Sequence, residues 1–208
     1  MLITYYYYVW RYLYEKMFMI LGRSSSGKDS IYSKLLKYAD LSFLIPYTPY
    51  TTRPMRKDEI NGKNYKFISE ADFYTLKDAG KVLEYRTYET NKGIWIYATI
   101  DDEQLKNGDY FLAIGTLESY ISLKKSNKFE IIPIYLNVDE YDLLIRYIER
   151  EHKEKNPNYN EVCRRFIADS KDFSEEKLNK AGITKVFNNN NLQYCTEEIK
   201  NYILSFLN

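Results

Sequence analysis

Gly22-Arg23-Ser24-Ser25-Ser26-Gly27-Lys28-Asp29-Ser30 follows directly on a short apolar run, Met17 to Leu21, and precedes a helix-like recurrence of Ile31, Leu35 and Tyr38. Strand, glycine-bounded loop, lysine and helix in that order are the parts of a phosphate-binding P-loop. The two glycines let backbone N–H groups converge on an anion. The following helix adds the positive end of its dipole, and Lys28 reaches the outer phosphates. A Ser/Gly-rich turn carrying a solvated lysine would need neither flank. The pattern G-x-x-x-x-G-K is complete, but Asp29 stands where Ser or Thr usually offers a hydroxyl to Mg²⁺. Gly22, Ser24, Ser25, Ser26, Gly27, Lys28, Asp29 and Ser30 are therefore the residues expected around a nucleotide's phosphates.

The whole chain bounds what that loop serves. At 208 residues it is long enough for one domain with a full core and small inserted subdomains. Its 30 basic and 29 acidic residues argue against a general polyanion-binding surface, so no nucleic-acid partner is expected. The 23 tyrosines are scattered, which implies no single aromatic stacking platform. Cys163 and Cys195 lie far apart and read as reduced cytoplasmic thiols, not as a disulfide framework or zinc site. His152, among charges, reads as a solvated helix residue. No run is long and apolar enough to span a membrane, and none is expected to bind one. Met1 to Lys16 lacks the charged start and cleavage site of a signal peptide and is expected to be an extension, of no assigned function, to a domain over 17–208.

After the P-loop helix comes a second apolar run, Leu41 to Ile45, expected as a strand. The next segment, Pro46 to Phe67, is kept extended or turned by its prolines and threonines and presents Arg53 and Arg56 from a loop. Two guanidinium forks there can converge on one phosphate. P-loop, then Thr51-Thr52-Arg53-Pro54-Met55-Arg56, then Glu59-Ile60-Asn61-Gly62-Lys63-Asn64-Tyr65, resembles the guanylate kinase family. The family's following elements come in order: a short helix from Ser69 to Ala79 with a capping-box start, then Gly80-Lys81-Val82-Leu83-Glu84-Tyr85. The resemblance runs from about Met17 to the C-terminus.

That resemblance implies a set of roles. Arg53, Arg56, Tyr65 and Tyr97 would hold the phosphate of the acceptor nucleotide. Glu84 would accept hydrogen bonds from guanine N1–H and the 2-amino group, a donor pair adenine lacks, and Thr99 of Tyr97-Ala98-Thr99 would also touch the guanine. The stretch Thr90 to Ile96 is about four residues longer than the family's. Arg146 and Arg150, four residues apart on one helical face, match the pair that grips phosphates in transit. A lid is implied over 151–159, with Arg165 the better of the next two arginines for a phosphate contact. Asn188 matches an Asn beside the donor adenine, and Thr196 is expected to cap the last helix.

The chain also departs from the family's pattern. Pro49 stands where a Ser is frequent, and Ala113 and Gly115 replace both carboxylates of the family's L-D-I-D. Because the metal-site carboxylate is missing just where Asp29 is gained, Asp29 is expected to coordinate Mg²⁺. Left uncompensated beside a triphosphate it would be repelled by roughly 4 kcal/mol per like-charge pair 4 Å apart at an effective dielectric of 20.

Strands alternating with helices predict an α/β fold of the P-loop nucleoside monophosphate kinase kind. Its parts would be a mostly parallel sheet with helices on both faces, an acceptor subdomain over 47–99 and a small lid. The reaction implied is transfer of the γ-phosphoryl of ATP, with Mg²⁺, to GMP or dGMP, with Lys28, Arg53, Arg146, Arg150 and Arg165 as the catalytic set. Two rivals stand beside it. One is a kinase for another (deoxy)nucleoside monophosphate; the other is a guanylate-kinase-like module that binds phosphate without catalysis, though such modules typically lose the lysine and lid arginines kept here.

Overall fold

The structure is a computed structural model and describes residues 15–57, 59–90, 93–106 and 110–207. In chain order the elements are β1 (Lys16–Leu21), α1 (Lys28–Leu35), β2 (Ile45–Pro46), β3 (Tyr50–Thr51), β4 (Lys66–Phe67), α2 (Glu70–Asp78), β5 (Val82–Thr90) and β6 (Gly93–Ile100). They continue as β7 (Tyr110–Ile114), α3 (Leu117–Ser126), β8 (Glu130–Asn137), α4 (Glu140–His152), α5 (Tyr159–Asp172), α6 (Glu175–Ala181), β9 (Val186–Asn188) and α7 (Leu192–Leu204). Five strands form a mostly parallel sheet in the order β2-β7-β1-β8-β9, flanked by helices; four form a second sheet, β4-β3-β6-β5. The expected α/β class is the observed one. Of the expected extension, residues 1–14 lie outside the described residues, and Lys16 already opens β1.

The chain divides into two compact units. One takes the described residues of Met1–Met17 with Ile45–Ala113 and Ile121–Ile131; the other takes Phe18–Leu44, Ile114–Tyr120 and the described residues of Ile132–Asn208. In the first, β5 and β6 pair antiparallel, with Glu84 opposite Thr99, Arg86 opposite Tyr97 and Thr90 opposite Gly93. The long stretch in the 90s is therefore absorbed as a longer hairpin, and Glu84 and Thr99 face each other directly. One face of this sheet is apolar. Ile96, Ala98 and Ile100, alternating along β6 as a half-buried strand must, pack on Phe73 of α2. Helix α2 starts where its sequence says it should, because Ser69 and Asp72 form a reciprocal capping box.

In the second unit, Phe18 to Leu21 continues the wholly buried run of β1, as strands covered on both faces do. Helices α4 and α5 are held together by Val138, Leu143, Tyr147 and Val162, with Phe166 edge-on to Tyr147 at 5.7 Å between centroids. Asp139 caps α4 through Tyr141 N–H, as a side-chain oxygen before an amphipathic run should.

Two local expectations fail. The apolar run from Leu41 to Ile45 is not one strand. Ala39–Leu41 is a 3-10 turn, and only Ile45–Pro46 pairs, parallel to Phe111 and Leu112 of β7. Leu41 and Leu44 are buried three residues apart, the period of a turn and not of a strand. Helix α7 is capped by Asn191, whose side chain accepts Tyr194 N–H, so Thr196 falls inside the helix and its hydroxyl donates to Leu192 O at 2.6 Å.

Candidate active site

The P-loop is built by backbone shape before any side chain acts. Gly22 has φ +151°, and a Cβ there would meet the Leu136 carbonyl at 2.8 Å; Gly27 has φ +93°, and a Cβ there would run into the Asn189 side chain. Both positions require glycine. Ser25 also lies in the left-handed region at φ 59°, the turn that brings successive N–H groups to one concavity. The hydroxyls of Ser25 and Ser26 are buried, with no protein hydrogen-bond partner among the described residues. Lys28 Nζ donates to the loop carbonyls of Gly22 and Arg23 at 2.7 and 2.8 Å. Burial lowers its pKa to about 8, Arg150 pushes the same way, and Asp29 and Asp169 oppose the shift. Asp29 and Ser30 are exposed in the first turn of α1.

Around this loop stand residues with no signal in the sequence. Asp169 of α5 accepts Ser24 N–H and the Tyr147 hydroxyl, both at 2.6 Å, so a helix carboxylate ties α5 and α4 to the loop backbone. Arg23 lies over the Phe166 ring, bonds Ser170 and pairs with Glu140. Asn189, 2% exposed, donates to Ser26 O at 2.8 Å, and its own carbonyl accepts from Arg146 at 2.9 Å. Its neighbour Asn188 is exposed and bonded to Asn137. Arg150 is exposed on α4, close enough to Lys28 to affect its charge. Arg165 pairs with Glu151 at 3.4 Å and Glu161 at 3.5 Å, while Arg164 is exposed against Glu161. Helix α4 runs to His152 and α5 starts at Tyr159, so residues 153–158 connect the two arginine-bearing helices.

In the first unit the polar face of the second sheet gathers most of the remaining sequence-predicted residues. Arg53, 4% exposed, donates through Nε to the Tyr97 hydroxyl at 3.1 Å and lies over the rings of Tyr65 and Phe67. Tyr65 and Tyr97 meet edge to face at 5.5 Å. Two residues along β6, Thr99 donates its hydroxyl to Glu84 Oε1 at 2.8 Å. Glu84 also takes Arg86, through Nε at 3.1 Å and Nη2 at 3.3 Å. Arg56 is exposed; its backbone N–H is held by Glu59. Arg53, Tyr65, Tyr97, Thr99 and Glu84 are thus brought together, and Arg56 lies on the loop beside them.

Glu59 fixes Arg53 in both nitrogens, at 2.7 and 2.9 Å. The Arg53 hydrogen bonds hold the Glu59 carboxyl below the usual carboxylate range and raise Arg53. A carboxylate depressed in the folded state stabilises it fully above its unfolded pKa and loses that contribution as pH falls through the folded value. Glu59→Gln is therefore expected to cost about 2 kcal/mol near neutral pH, with the gap closing in acid. Urea unfolding of both proteins from about pH 7 to about pH 2 tests this, and a constant gap would contradict it.

Fold and loop together define an α/β protein of the P-loop nucleoside monophosphate kinase class. The family model described as guanylate kinase matches residues 14–205, and the chain belongs to that family. It is 28% identical over 158 residues to a guanylate kinase of Paraburkholderia xenovorans (strain LB400), across 73% of this chain and 64% of that one, just under two thirds of that relative's length. It is 26% identical over 195 residues to a guanylate kinase of Mesomycoplasma hyopneumoniae (strain 7448), across 91% of this chain and 94% of that one. The crystal structure of guanylate kinase from Anaplasma phagocytophilum shares the fold, with a TM-score of 0.65 at 16% identity, covering 92% of this chain and 86% of the other.

Proposed function

We propose that this protein is a nucleoside monophosphate kinase of guanylate kinase type, moving the γ-phosphoryl of ATP to GMP to give ADP and GDP. One observation carries the acceptor assignment. A buried carboxylate braced by a hydroxyl, Glu84 with Thr99, shares a sheet face with a buried arginine braced by two tyrosines. Thr99 and Tyr97 are two strand residues apart, about 7 Å, which suits the base and the phosphate of one nucleotide. The carboxylate matches guanine's paired N1–H and 2-amino donors, and Arg53, with Arg56 nearby, matches the phosphate. Tyr65 and Tyr97 orient that phosphate through their hydroxyls.

On the donor side, the backbone N–H groups of Ser25 and of Gly27 to Ser30 and the dipole of α1 cradle the polyphosphate. Arg150 already disfavours the charge on Lys28, and a polyphosphate beside the lysine relieves that. Arg146, set by Asn189, and Arg165 complete the positive frame as the 151–159 segment closes. Asn188 lies at the strand end where the adenine is expected. The attacking oxygen belongs to an already ionised phosphate, so no general base is needed. Catalysis comes from in-line positioning and charge neutralisation.

ATP-using kinases of this kind take Mg²⁺ with the nucleotide. Among the described residues no three His, Cys, Asp or Glu side chains gather, but Mg²⁺ commonly takes one or two carboxylates and the substrate's phosphate oxygens. The exposed Asp29 oxygens beside Lys28 fit that mode, and Asp29 would hold the ion. When bound, Mg²⁺ supplies charge neutralisation at the phosphate oxygens. Asp29→Ser is expected to shift the Mg²⁺ concentration for half-maximal rate upward about 10-fold, and unchanged Mg²⁺ dependence and activity would reject the role.

The reaction itself is tested by following ATP and GMP with ³¹P NMR. Equal formation of ADP and GDP supports the reading. ADP formed without GDP would replace it with simple ATP hydrolysis.

A further inference from the structure

Arg86 is a charged group on the acceptor face that the function above does not use. It lies two residues after Glu84 on β5, so both side chains leave the same face of the sheet. Its side chain is 10% exposed and that of Glu84 1%. The guanidinium lies against the carboxylate in the two-nitrogen mode already described, opposite Tyr97 on β6, and Thr99 donates to Oε1, the oxygen that also takes Arg86 Nη2. Along β5 the face therefore carries a carboxylate and then a guanidinium, each engaged with the other.

Guanine carries the complementary order along one continuous edge. Its 2-amino and N1–H groups donate; its O6 and N7, next along the ring, accept. Adenine offers a donor at N6 between acceptors at N1 and N7, so against the same pair only N7 finds its match. An arginine fork is the side chain whose geometry fits O6 and N7 together; a lysine is a point charge that cannot span both.

We propose that Arg86 is a base-reading residue of the acceptor site. It donates to guanine O6 and N7 while Glu84 takes N1–H and the 2-amino group. This rests on the guanine reading of the site and adds a second half to it. The Glu84–Arg86 pair reads the whole edge, and the ion pair between them keeps each group charged and aimed while no base is present.

The test compares GMP with 7-deaza-GMP, which keeps the donor edge and O6 but lacks N7, in wild type and in Arg86→Met and Arg86→Lys. Wild type is expected to discriminate against 7-deaza-GMP about 10-fold in kcat/KM. Arg86→Met is expected to lose about 10-fold or more on GMP and to treat the two substrates alike, with Arg86→Lys between the two proteins. A residue that merely neutralised Glu84 would lower both substrates equally and leave their ratio unchanged. An unchanged ratio in Arg86→Met overturns the proposal. So does a wild type that is indifferent to N7, a result that needs no variant to fold. Brisk GMP turnover with that indifference sinks Arg86 alone, whereas no turnover of either guanine nucleotide sinks the guanine reading with it.

Discussion

Lys28→Met is expected to lower the proposed rate of GMP phosphorylation by about 10²- to 10³-fold or more, with the folded protein retained. The ammonium is buried against two backbone carbonyls, and burial is the largest cause of its lowered pKa of about 8. Holding that charge costs the fold something, so an apolar side chain of similar length is tolerated there. What methionine cannot do is follow the phosphoryl group with a positive charge as it leaves ATP. Neither Arg146, occupied by the Asn189 carbonyl, nor the exposed Arg150 can be carried into the loop to replace it. Thermal melting of the variant at or above wild type, with the rate lost, is the expected pairing. A variant that keeps near-wild-type turnover would remove the P-loop lysine from the chemistry.

Glu84→Gln is expected to cut kcat/KM for GMP by about 10³-fold. The amide has nearly the carboxylate's shape, but it offers one acceptor and one donor where guanine presents two donors. One N–H of the base then faces an NH₂ in a buried site, which is a repulsion in addition to a lost hydrogen bond. The variant should therefore lose far more on GMP than on IMP, which lacks the 2-amino group. The fold also feels the change, because Arg86 loses the anion it lies against; a loss of about 3 kcal/mol is expected from urea unfolding. Equal losses on GMP and IMP would mean that Glu84 supports the sheet without reading the base.

What the sequence made legible was local or tied to a contiguous motif. The P-loop and the capping box at Ser69 are each written within a few residues, and both form as read. The cross-strand facts were not legible. Glu84 and Thr99 are fifteen residues apart, and the extra length between them could have lain in a loop; only the register of the hairpin puts them opposite each other. Arg86 on a strand reads as a solvated charge, as does Asp169 on a helix, because nothing in sequence spacing says which long-range partner a charge will meet. The run of four asparagines hid which one faces the loop, and Asn189 is the buried one tied to Ser26 and Arg146. Leu41 to Ile45 misled because a short apolar run looks the same whether its burial follows a turn or a strand.

The two sites together are expected to phosphorylate a guanine nucleotide at the expense of ATP. A coupled ADP-release assay with ATP and Mg²⁺ against GMP, dGMP, AMP, UMP, CMP and dTMP tests it most directly. Turnover confined to GMP, or to GMP and dGMP, is the predicted result. Turnover with a different monophosphate would keep the P-loop chemistry and contradict the guanine site, and binding of GMP with no turnover of any acceptor would contradict the kinase.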